Sequence, residues 1–209
     1  RLKYLLQPLI VLSVPILLVV IQPDLGTSFL IAAGGIAVIW FAGVKMQFFA
    51  YFGIIFLSTA PVVISFLKPY QKSRILTFLD PSRDPLGAGY QITQSKIAIG
   101  SGGLFGKGFL NGSQSYLDYL PEKHTDFIFT LFSEEFGFFG SISILTLYML
   151  ITWRIVSIGN MVRGSFGKFY CYSFATAFFI YVAVNMAMVL GLIPIVGAPL
   201  PILSYGGSS

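Results

Sequence analysis

Five long apolar segments constrain the fold of this chain more than any other feature of its sequence. They cover residues 5–21, 27–43, 48–67, 127–153 and 169–190. A bilayer core of about 30 Å needs roughly 20 apolar residues of helix, so each segment is long enough, or nearly so, to cross a membrane. We therefore predict an all-α polytopic membrane protein, with about five transmembrane helices in a single membrane domain over residues 1–209.

The composition agrees with a membrane protein. Hydrophobic residues make up 56% of the chain and charged residues 10%, with a mean hydropathy of +0.82, which leaves too little polar surface for a water-soluble globule. The thirteen basic residues, in a chain of net charge +5, are scattered between apolar runs. This pattern favours contact with the lipid bilayer over nucleic acid. Cys171 is the only cysteine, so no intrachain disulfide forms.

Basic residues in the short connections predict the orientation. Cytoplasmic loops are enriched in lysine and arginine, and short loops determine this bias. The residues concerned are Arg1, Lys3, Lys45, Arg154, Arg163 and Lys168. Placing them in the cytoplasm puts the turn 22–26, the loop 68–125 and the segment 191–209 together on the extracytoplasmic side. The segment 191–209 is rich in proline and glycine and is either a partly re-entrant, broken segment or a plain loop.

The loop 68–125 is too long for an idle connector. Its stretches 70–79 and 90–99 mix apolar with basic and amide residues, as interfacial helices do, and irregular loop is the alternative. Asp80 and Asp84 each precede a proline and are typical turn starters.

A glycine-rich run follows at 100–108. It is not a Walker loop, because Ser101 and Gly108 stand where the motif requires glycine and serine or threonine. Either it is a flexible turn, or its backbone contacts an anion beside Lys96 and Lys107.

The most concentrated polar chemistry lies where this loop enters the fourth apolar segment. There Asp126 either caps a helix or serves as a carboxylate whose pKa rises toward the range of a general base beside apolar neighbours. Glu122 precedes it, and Lys123 and His124 are candidates to tune it or to hold a phosphate. A structural role is more typical of a lone histidine such as His124 than metal ligation.

Two further acidic residues, Glu134 and Glu135, lie inside the apolar segment, where charge is costly and usually functional. Adjacent residues cannot share one face of a helix. We therefore predict that at most one of them faces an interior cavity.

Four blocks of sequence resemble the bacterial SEDS family of cell-wall proteins. They are QPDLGTS at 22–28, GAGYQITQSKIAIGSGGLFGKG at 87–108, LPEKHTDFIF at 120–129 and GAPLPILSYGGSS at 197–209. The blocks follow the family's order and cover nearly the whole chain, and the wording at 112–129 is closer to the rod-shape branch than to the division branch. The family has additional membrane helices, and the chain does not begin with methionine, so we expect a C-terminal part of a longer protein.

The resemblance implies a bacterial inner-membrane enzyme that polymerises lipid II into glycan strands during cell elongation. Asp126 matches the family's essential loop aspartate, with the expected role of general base or transition-state stabiliser in an inverting transfer. The pyrophosphate leaving group implies cations, with or without a divalent metal ion. The candidate substrate-binding residues are Gln94, Lys96, Lys107, Glu122, Lys123 and His124. The expected partners are a class B penicillin-binding protein, which is a transpeptidase, and other proteins of the elongation complex.

Two other functions fit parts of the sequence. Intramembrane Glu134 and Glu135 together with proline-broken helices are also typical of transporters, which would make the protein a lipid II flippase. A non-catalytic membrane scaffold of the cell-wall synthesis complex is the third hypothesis.

Overall fold

The structure, a computed structural model, describes residues 3–22, 25–66, 69–84, 87–113 and 124–205. Every regular element in these ranges is helical, as predicted. The helices are α1 Lys3–Ile21, α2 Leu25–Phe41, α3 Met46–Phe66, α4 Pro69–Leu79, a 3-10 turn Pro81–Arg83, α5 Ala88–Ser101, α6 Ile128–Met161 and α7 Ser165–Val189.

The long helices are apolar around their whole circumference. Large side chains on outward faces stay open, such as Val11 at 73%, Leu57 at 72% and Trp153 at 68% exposure. A soluble monomer rarely exposes so much apolar surface, whereas lipid solvates it without cost. The helices are therefore built for a bilayer.

Each of the five predicted membrane segments is a helix. Helices α6 and α7 are long and apolar enough to cross a membrane, and α1, α2 and α3 carry the shorter apolar stretches Leu6–Ile21, Gly26–Phe41 and Met46–Thr59. The number of crossings stays a prediction.

The helices α1, α2, α7 and α6 pack side by side in that order. Helices α2 and α7 are antiparallel, because Gly26 at the start of α2 touches Val196 beyond the end of α7, while the rings of Phe41 and Tyr172 lie 5.4 Å apart at the opposite end. The bundle thus has two distinct ends. One holds the connections 42–45 and 162–164, and the other holds the start of α2 and the tail, defined here as residues 191–205.

The tail is not helical, and it is packed against protein. Ala198 and Leu200 are fully buried, and the Tyr148 hydroxyl donates to the Pro201 carbonyl at 2.5 Å. Together with Phe127, Met188 and Val189, these residues form the core at the tail end of the bundle. Other tail residues are exposed, among them Leu192 and Ile202, so the choice between a partly re-entrant, broken segment and a plain loop stays a prediction.

The part of the loop that the structure describes contains helices at both predicted places, α4 and α5. Asp80 caps the 3-10 turn between them, and hydrogen bonds from Ser82 and Arg83 lower the pKa of its carboxyl. Asp84 accepts from the N–H groups of Gly87 and Ala88, both at 2.9 Å, and so satisfies the first free donors of α5. The two aspartates act as the turn starters that the sequence predicts.

Helix α6 is broken at Gly137, which the sequence reading of one continuous segment missed. This glycine has φ 66° and ψ −161°, a backbone conformation open essentially to glycine alone. Residues 138–161 alone measure about 36 Å at 1.5 Å per residue, enough for a bilayer core. Residues 128–136 form a separate short helical piece that leads to the site.

Candidate active site

Asp126 lies in a turn, residues 124–127, immediately before α6 at the tail end of the bundle. Phe127 takes the N-cap position, so Asp126 stands one residue ahead of the position that a capping aspartate occupies. Phe127 is 1% exposed and anchors the turn in the core, while Asp126 is half-buried. The carboxylate is therefore attached to a fixed point at the edge of the bundle.

Three consecutive backbone carbonyls of this turn are held by residues from far along the chain. The His124 carbonyl accepts from the Tyr205 N–H at 2.8 Å, and the Thr125 carbonyl accepts from the Ser204 hydroxyl at 2.6 Å. The Asp126 carbonyl accepts from the Asn185 amide at 2.8 Å. We call this set the carbonyl clamp, and it fixes the main chain of Asp126 against α7 and the tail.

Gly197 faces the Asp126 carboxylate across the site. A Cβ built on this glycine would stand 3.5 Å from the Asp126 Oδ2, and the φ of +71° favours glycine on its own account. The residue leaves space beside the carboxylate that a larger side chain would fill.

The tail also contacts α2 and α4 at this end of the bundle. A side chain at position 26 would collide with the Val196 carbonyl, so Gly26 permits close contact between α2 and the tail. The Arg74 guanidinium of α4 donates to the Ile195 carbonyl at 3.3 Å. The start of α2 at Gly26, the helix α4 and the tail, which are distant in sequence, therefore meet close to Asp126.

Helix α5 brings Lys96 and Gln94 to this region. Lys96 is exposed, and its Nζ lies 2.8 Å from the position of a Cβ on Gly191, at the start of the tail. Gln94, two residues before Lys96, is half-buried. Lys96 lies against Gly191, and the Asp126 carboxylate lies against Gly197. The six residue steps between these two glycines span at most roughly 20 Å, so Lys96 and Asp126 lie along the same short stretch of the tail.

The helix α5 is fixed by Ser95, which is completely buried. Its hydroxyl lies 2.8 Å from the Thr130 hydroxyl of α6 and donates to the Val189 carbonyl at the end of α7, also at 2.8 Å. One side chain thus joins three helices directly behind Lys96.

The glycine-rich run packs its backbone into the break of α6. In a continuous helix, the N–H groups of Phe138 and Phe139 would bond the carbonyls of Glu134 and Glu135. Instead they donate to Gly103 and Leu104, at 2.9 and 3.2 Å. The Glu134 and Glu135 carbonyls accept from the Lys107 and Gly108 N–H groups, at 3.1 and 3.0 Å. The run exchanges backbone partners with the helix, so a free, flexible turn does not describe it.

The side chains of Lys107 and Glu134, whose backbones are already joined by a hydrogen bond, also form an ion pair. The Lys107 Nζ lies 2.7 Å from the Glu134 Oε1 and 2.8 Å from the Ser113 hydroxyl, and the Glu134 side chain has no exposed surface. Lys107 thus has a structural partner here, and its contact with a substrate anion stays a prediction. Glu135 is also buried and receives the Leu110 N–H, so the neighbouring carboxylates have separate partners.

An apolar cavity of about 290 Å³ lies between α5, α6 and α7, next to the break. Ile99, Phe129, Leu145 and Met186 contribute to its wall, and Ser133 and Ser141 supply polar atoms. It belongs to the same end of the molecule as Asp126, since Phe129 lies one turn further along α6.

Other predicted site residues are less defined. Glu122 and Lys123 lie outside the described residues, and His124 is exposed. The described residues also hold no group of three histidine, cysteine, aspartate or glutamate side chains arranged for a metal ion. The side chains around Asp126 in the described ranges therefore do not define a metal site on their own.

Sequence reasoning missed Asn185, Ser204 and Ser95, which hold the site in place. Asn185 had a signal, because it is a lone amide in an apolar helix, where polar groups are costly. Ser95 and Ser204 lie beside other polar or small residues, where the sequence does not show whether a serine hydroxyl is buried or exposed.

These features define a class of protein: a helical membrane protein with a carboxylate-bearing site at one end of its bundle. The sequence model of the cell cycle protein family FtsW/RodA/SpoVE matches residues 1–209, and the chain belongs to this family, which is the SEDS family indicated by its motifs.

Curated relatives cover the family's branches. The peptidoglycan glycosyltransferase MrdB of Escherichia coli K12 is 46% identical over 202 residues, 96% of this chain and 55% of that protein. Stage V sporulation protein E of Bacillus subtilis is 43% identical over 194 residues, 92% of this chain and 52% of that protein. The probable peptidoglycan glycosyltransferase FtsW of Thioalkalivibrio sp. is 40% identical over 212 residues, 100% of this chain and 52% of that protein. The chain spans about half the length of these relatives, and the MrdB match agrees with the predicted RodA-type branch.

Solved structures show the same fold. A chain from a study of polymerization and crosslinking by a peptidoglycan synthase complex aligns with a TM-score of 0.75 and 34% identity, covering 96% of this chain and 55% of that one. A mutant of the rod shape determining protein RodA of Thermus thermophilus aligns with a TM-score of 0.62 and 23% identity, covering 100% of this chain and 52% of that one.

Proposed function

We propose that this chain is the part of a RodA-type peptidoglycan glycosyltransferase that carries its catalytic aspartate. The carrying observation is Asp126, a half-buried carboxylate whose main chain is held by the carbonyl clamp at the end of an apolar bundle. Family membership and the glycosyltransferase names of its relatives support the reaction class.

In this proposal the substrate is lipid II, and its chemistry fits the architecture. The polyprenyl chain stays among the apolar helices while the sugar headgroup lies at the bundle end that holds Asp126. The sugar 4-hydroxyl of one lipid II attacks the anomeric carbon of the growing glycan, and the carbon–oxygen bond to undecaprenyl pyrophosphate breaks. Asp126 takes the hydroxyl proton as general base, which a transfer with inversion requires.

Negative charge develops on the departing pyrophosphate, and fixed cations stabilise it. Lys96 is our first candidate, because it is exposed at the start of the same tail that passes Asp126. Lys123 is a further candidate, and Gln94, Glu122 and His124 complete the proposed headgroup contacts. Lys107 contributes through its buried pair with Glu134, which holds the glycine-rich run in the break of α6.

The proposal includes the arrangement in the membrane. Helices α1, α2, α3, α6 and α7 cross the inner membrane, and the loop 68–125, the tail and Asp126 lie on the extracytoplasmic side. One structural relative comes from a peptidoglycan synthase complex that coordinates polymerization and crosslinking. We accordingly propose a class B penicillin-binding protein as the partner that crosslinks the product.

The deciding experiment compares wild-type and Asp126→Asn full-length protein, each with its transpeptidase partner, in a lipid II polymerisation assay. Loss of the base is expected to lower the rate by at least about 100-fold. The matched control is Asp80→Asn, the same change on an exposed loop carboxylate, which is expected to keep normal activity. A normal rate for Asp126→Asn would refute the proposal. Headgroup translocation in liposomes that survives this change but fails in Glu134→Gln would favour the flippase instead.

A further inference from the structure

Asn185 is a fully buried amide in the apolar helix α7, and it joins the two halves of the site. Its Nδ2 donates to the Asp126 carbonyl at 2.8 Å and to the Ala198 carbonyl at 2.6 Å. Two carbonyl acceptors require the NH₂ side of the amide, so the orientation of the side chain is fixed by chemistry. Within the described part of the chain, its Oδ1 is buried without a hydrogen-bond partner.

The two bonded carbonyls bracket the site. One belongs to Asp126 itself, and the other follows Gly197, the residue that faces the Asp126 carboxylate. Both lie in non-helical backbone, where no helical hydrogen-bond ladder fixes the chain. The separation of the carboxylate from the opposite wall therefore depends on the amide between them.

The amide does what an apolar side chain at this position cannot do. Leucine, which has a similar size, would remove the unpaired Oδ1 but would leave the Asp126 and Ala198 carbonyls without the donor that Asn185 supplies. Asn185 therefore both satisfies these two acceptors and fixes their separation.

We propose that Asn185 is a positioning residue for Asp126, and this inference rests on the proposed function. It holds the base at the distance from the tail at which the carboxylate takes the proton of the attacking sugar hydroxyl, and it touches no substrate because it is fully buried. A displacement of about 1 Å at a reacting group can lower a rate by about 100-fold. Its loss must therefore lower kcat and leave KM almost unchanged.

The first test is Asn185→Ala in full-length protein with its transpeptidase partner, with kcat and KM measured on lipid II. We expect kcat to fall about 100-fold and KM to stay within about threefold. The matched control is Asn160→Ala, which removes a side-chain amide that joins α6 to α7 at the opposite end of the bundle, where its Oδ1 accepts from the Tyr172 hydroxyl. It is expected to leave both constants unchanged. A kcat within about threefold of wild type in Asn185→Ala would overturn the proposal.

A pH profile separates positioning from general damage. In Asn185→Asp, an ionised carboxylate has no proton to donate to the two carbonyls, whereas the protonated acid donates one hydrogen bond. The ratio of its kcat to that of Asn185→Leu is expected to rise as the pH is lowered from about 8 to about 5. A constant ratio would overturn the proposal, and this comparison decides the matter if the alanine variant does not fold.

Hydrogen exchange provides a test that does not depend on activity. In an Asp126→Asn background, Asn185→Ala should speed exchange at the Tyr205 and Thr130 amides, which bond the His124 and Phe127 carbonyls of the turn. Unchanged exchange would overturn the role of Asn185. If wild-type protein does not polymerise lipid II, the proposed function fails. The exchange result would still show whether the two hydrogen bonds of Asn185 hold the turn in place.

Discussion

The partners of the Glu134 carboxylate include the Lys107 ammonium and the Ser113 hydroxyl. Its side chain is completely buried, whereas Lys107 keeps 28% of its own surface exposed. An ionised group left alone in such a place has lost its hydration without compensation. Removing Lys107 alone should therefore cost more free energy than the attraction within the ion pair contributes, because it leaves the buried Glu134 charge without its counter-charge.

We expect Lys107→Met to destabilise the folded protein by about 3 kcal/mol, because it strands the buried Glu134 charge. Adding Glu134→Gln to this variant should recover most of that loss, since the neutral amide needs no counter-charge. Thermal unfolding of the full-length protein in detergent measures both.

The control for this pair is Lys45→Met, which changes an exposed lysine at the other end of the bundle and is expected to stay within about 0.5 kcal/mol of wild type. Equal losses in the single and double variants would show that the stranded charge is not the cause.

At this scale the sequence allowed some residues to be singled out but not others. Asp126 can be singled out because it lies in the polar run that leads into the fourth apolar segment and in the block LPEKHTDFIF that resembles the SEDS family. Asn185 is harder, because its importance comes from two carbonyls, at positions 126 and 198, that only the fold brings to it. Backbone acceptors leave no mark in a sequence.

Among the elements, the break in α6 and the glycine-rich run form one unit. The conformation of Gly137 excludes other residues, and a Cβ there would also stand 2.3 Å from the Gly106 nitrogen. Gly106 is constrained in return, since its own Cβ would stand 2.1 Å from the Glu135 carbonyl oxygen. The two glycines permit the close approach that the exchange of hydrogen bonds requires.

Gly137→Ala should therefore destabilise the protein by at least about 3 kcal/mol, from backbone strain and from the collision together. The matched change Gly53→Ala, in a helix with nothing within 4 Å of the added carbon, is expected to be neutral or stabilising by up to about 1 kcal/mol. Thermal unfolding in detergent compares the two. A mild effect of Gly137→Ala would mean that α6 can run straight.

The helices themselves follow from sequence, because apolar length predicts them directly. The position of the break does not follow from sequence, since residues 127–153 read as one apolar run and Gly137 is one of the two glycines in it. Gly137 is the site of the break because the glycine-rich run 100–108 pairs its backbone with the helix there. Such a pairing between two backbone segments cannot be derived from the sequence of either segment alone.

For the whole molecule, the bundle places the connections 42–45 and 162–164 at the end opposite the tail. Five crossings require these connections to share one side of the membrane and the glycine-rich run to lie on the other. The basic residues in the connections predict that their side is the cytoplasmic one.

Cysteine labelling in intact cells tests this arrangement in full-length protein whose native cysteines, including Cys171, are replaced by serine. A membrane-impermeant maleimide should label Phe105→Cys from outside, because this side chain is 80% exposed in the run. Lys45→Cys and Arg163→Cys should react only after lysis. Labelling of the last two from opposite sides would exclude five crossings.

The carbonyl clamp also has a consequence for biosynthesis. The residues that hold positions 124–126 come much later in the chain, with Ser204 following Thr125 by 79 residues. At a synthesis rate of roughly 5 to 20 residues per second, the turn waits roughly 4 to 16 s for its last partners. The carboxylate that we propose as the base is thus translated early and aligned late, because its turn is fixed only after residues 204 and 205 have been made and have packed against it.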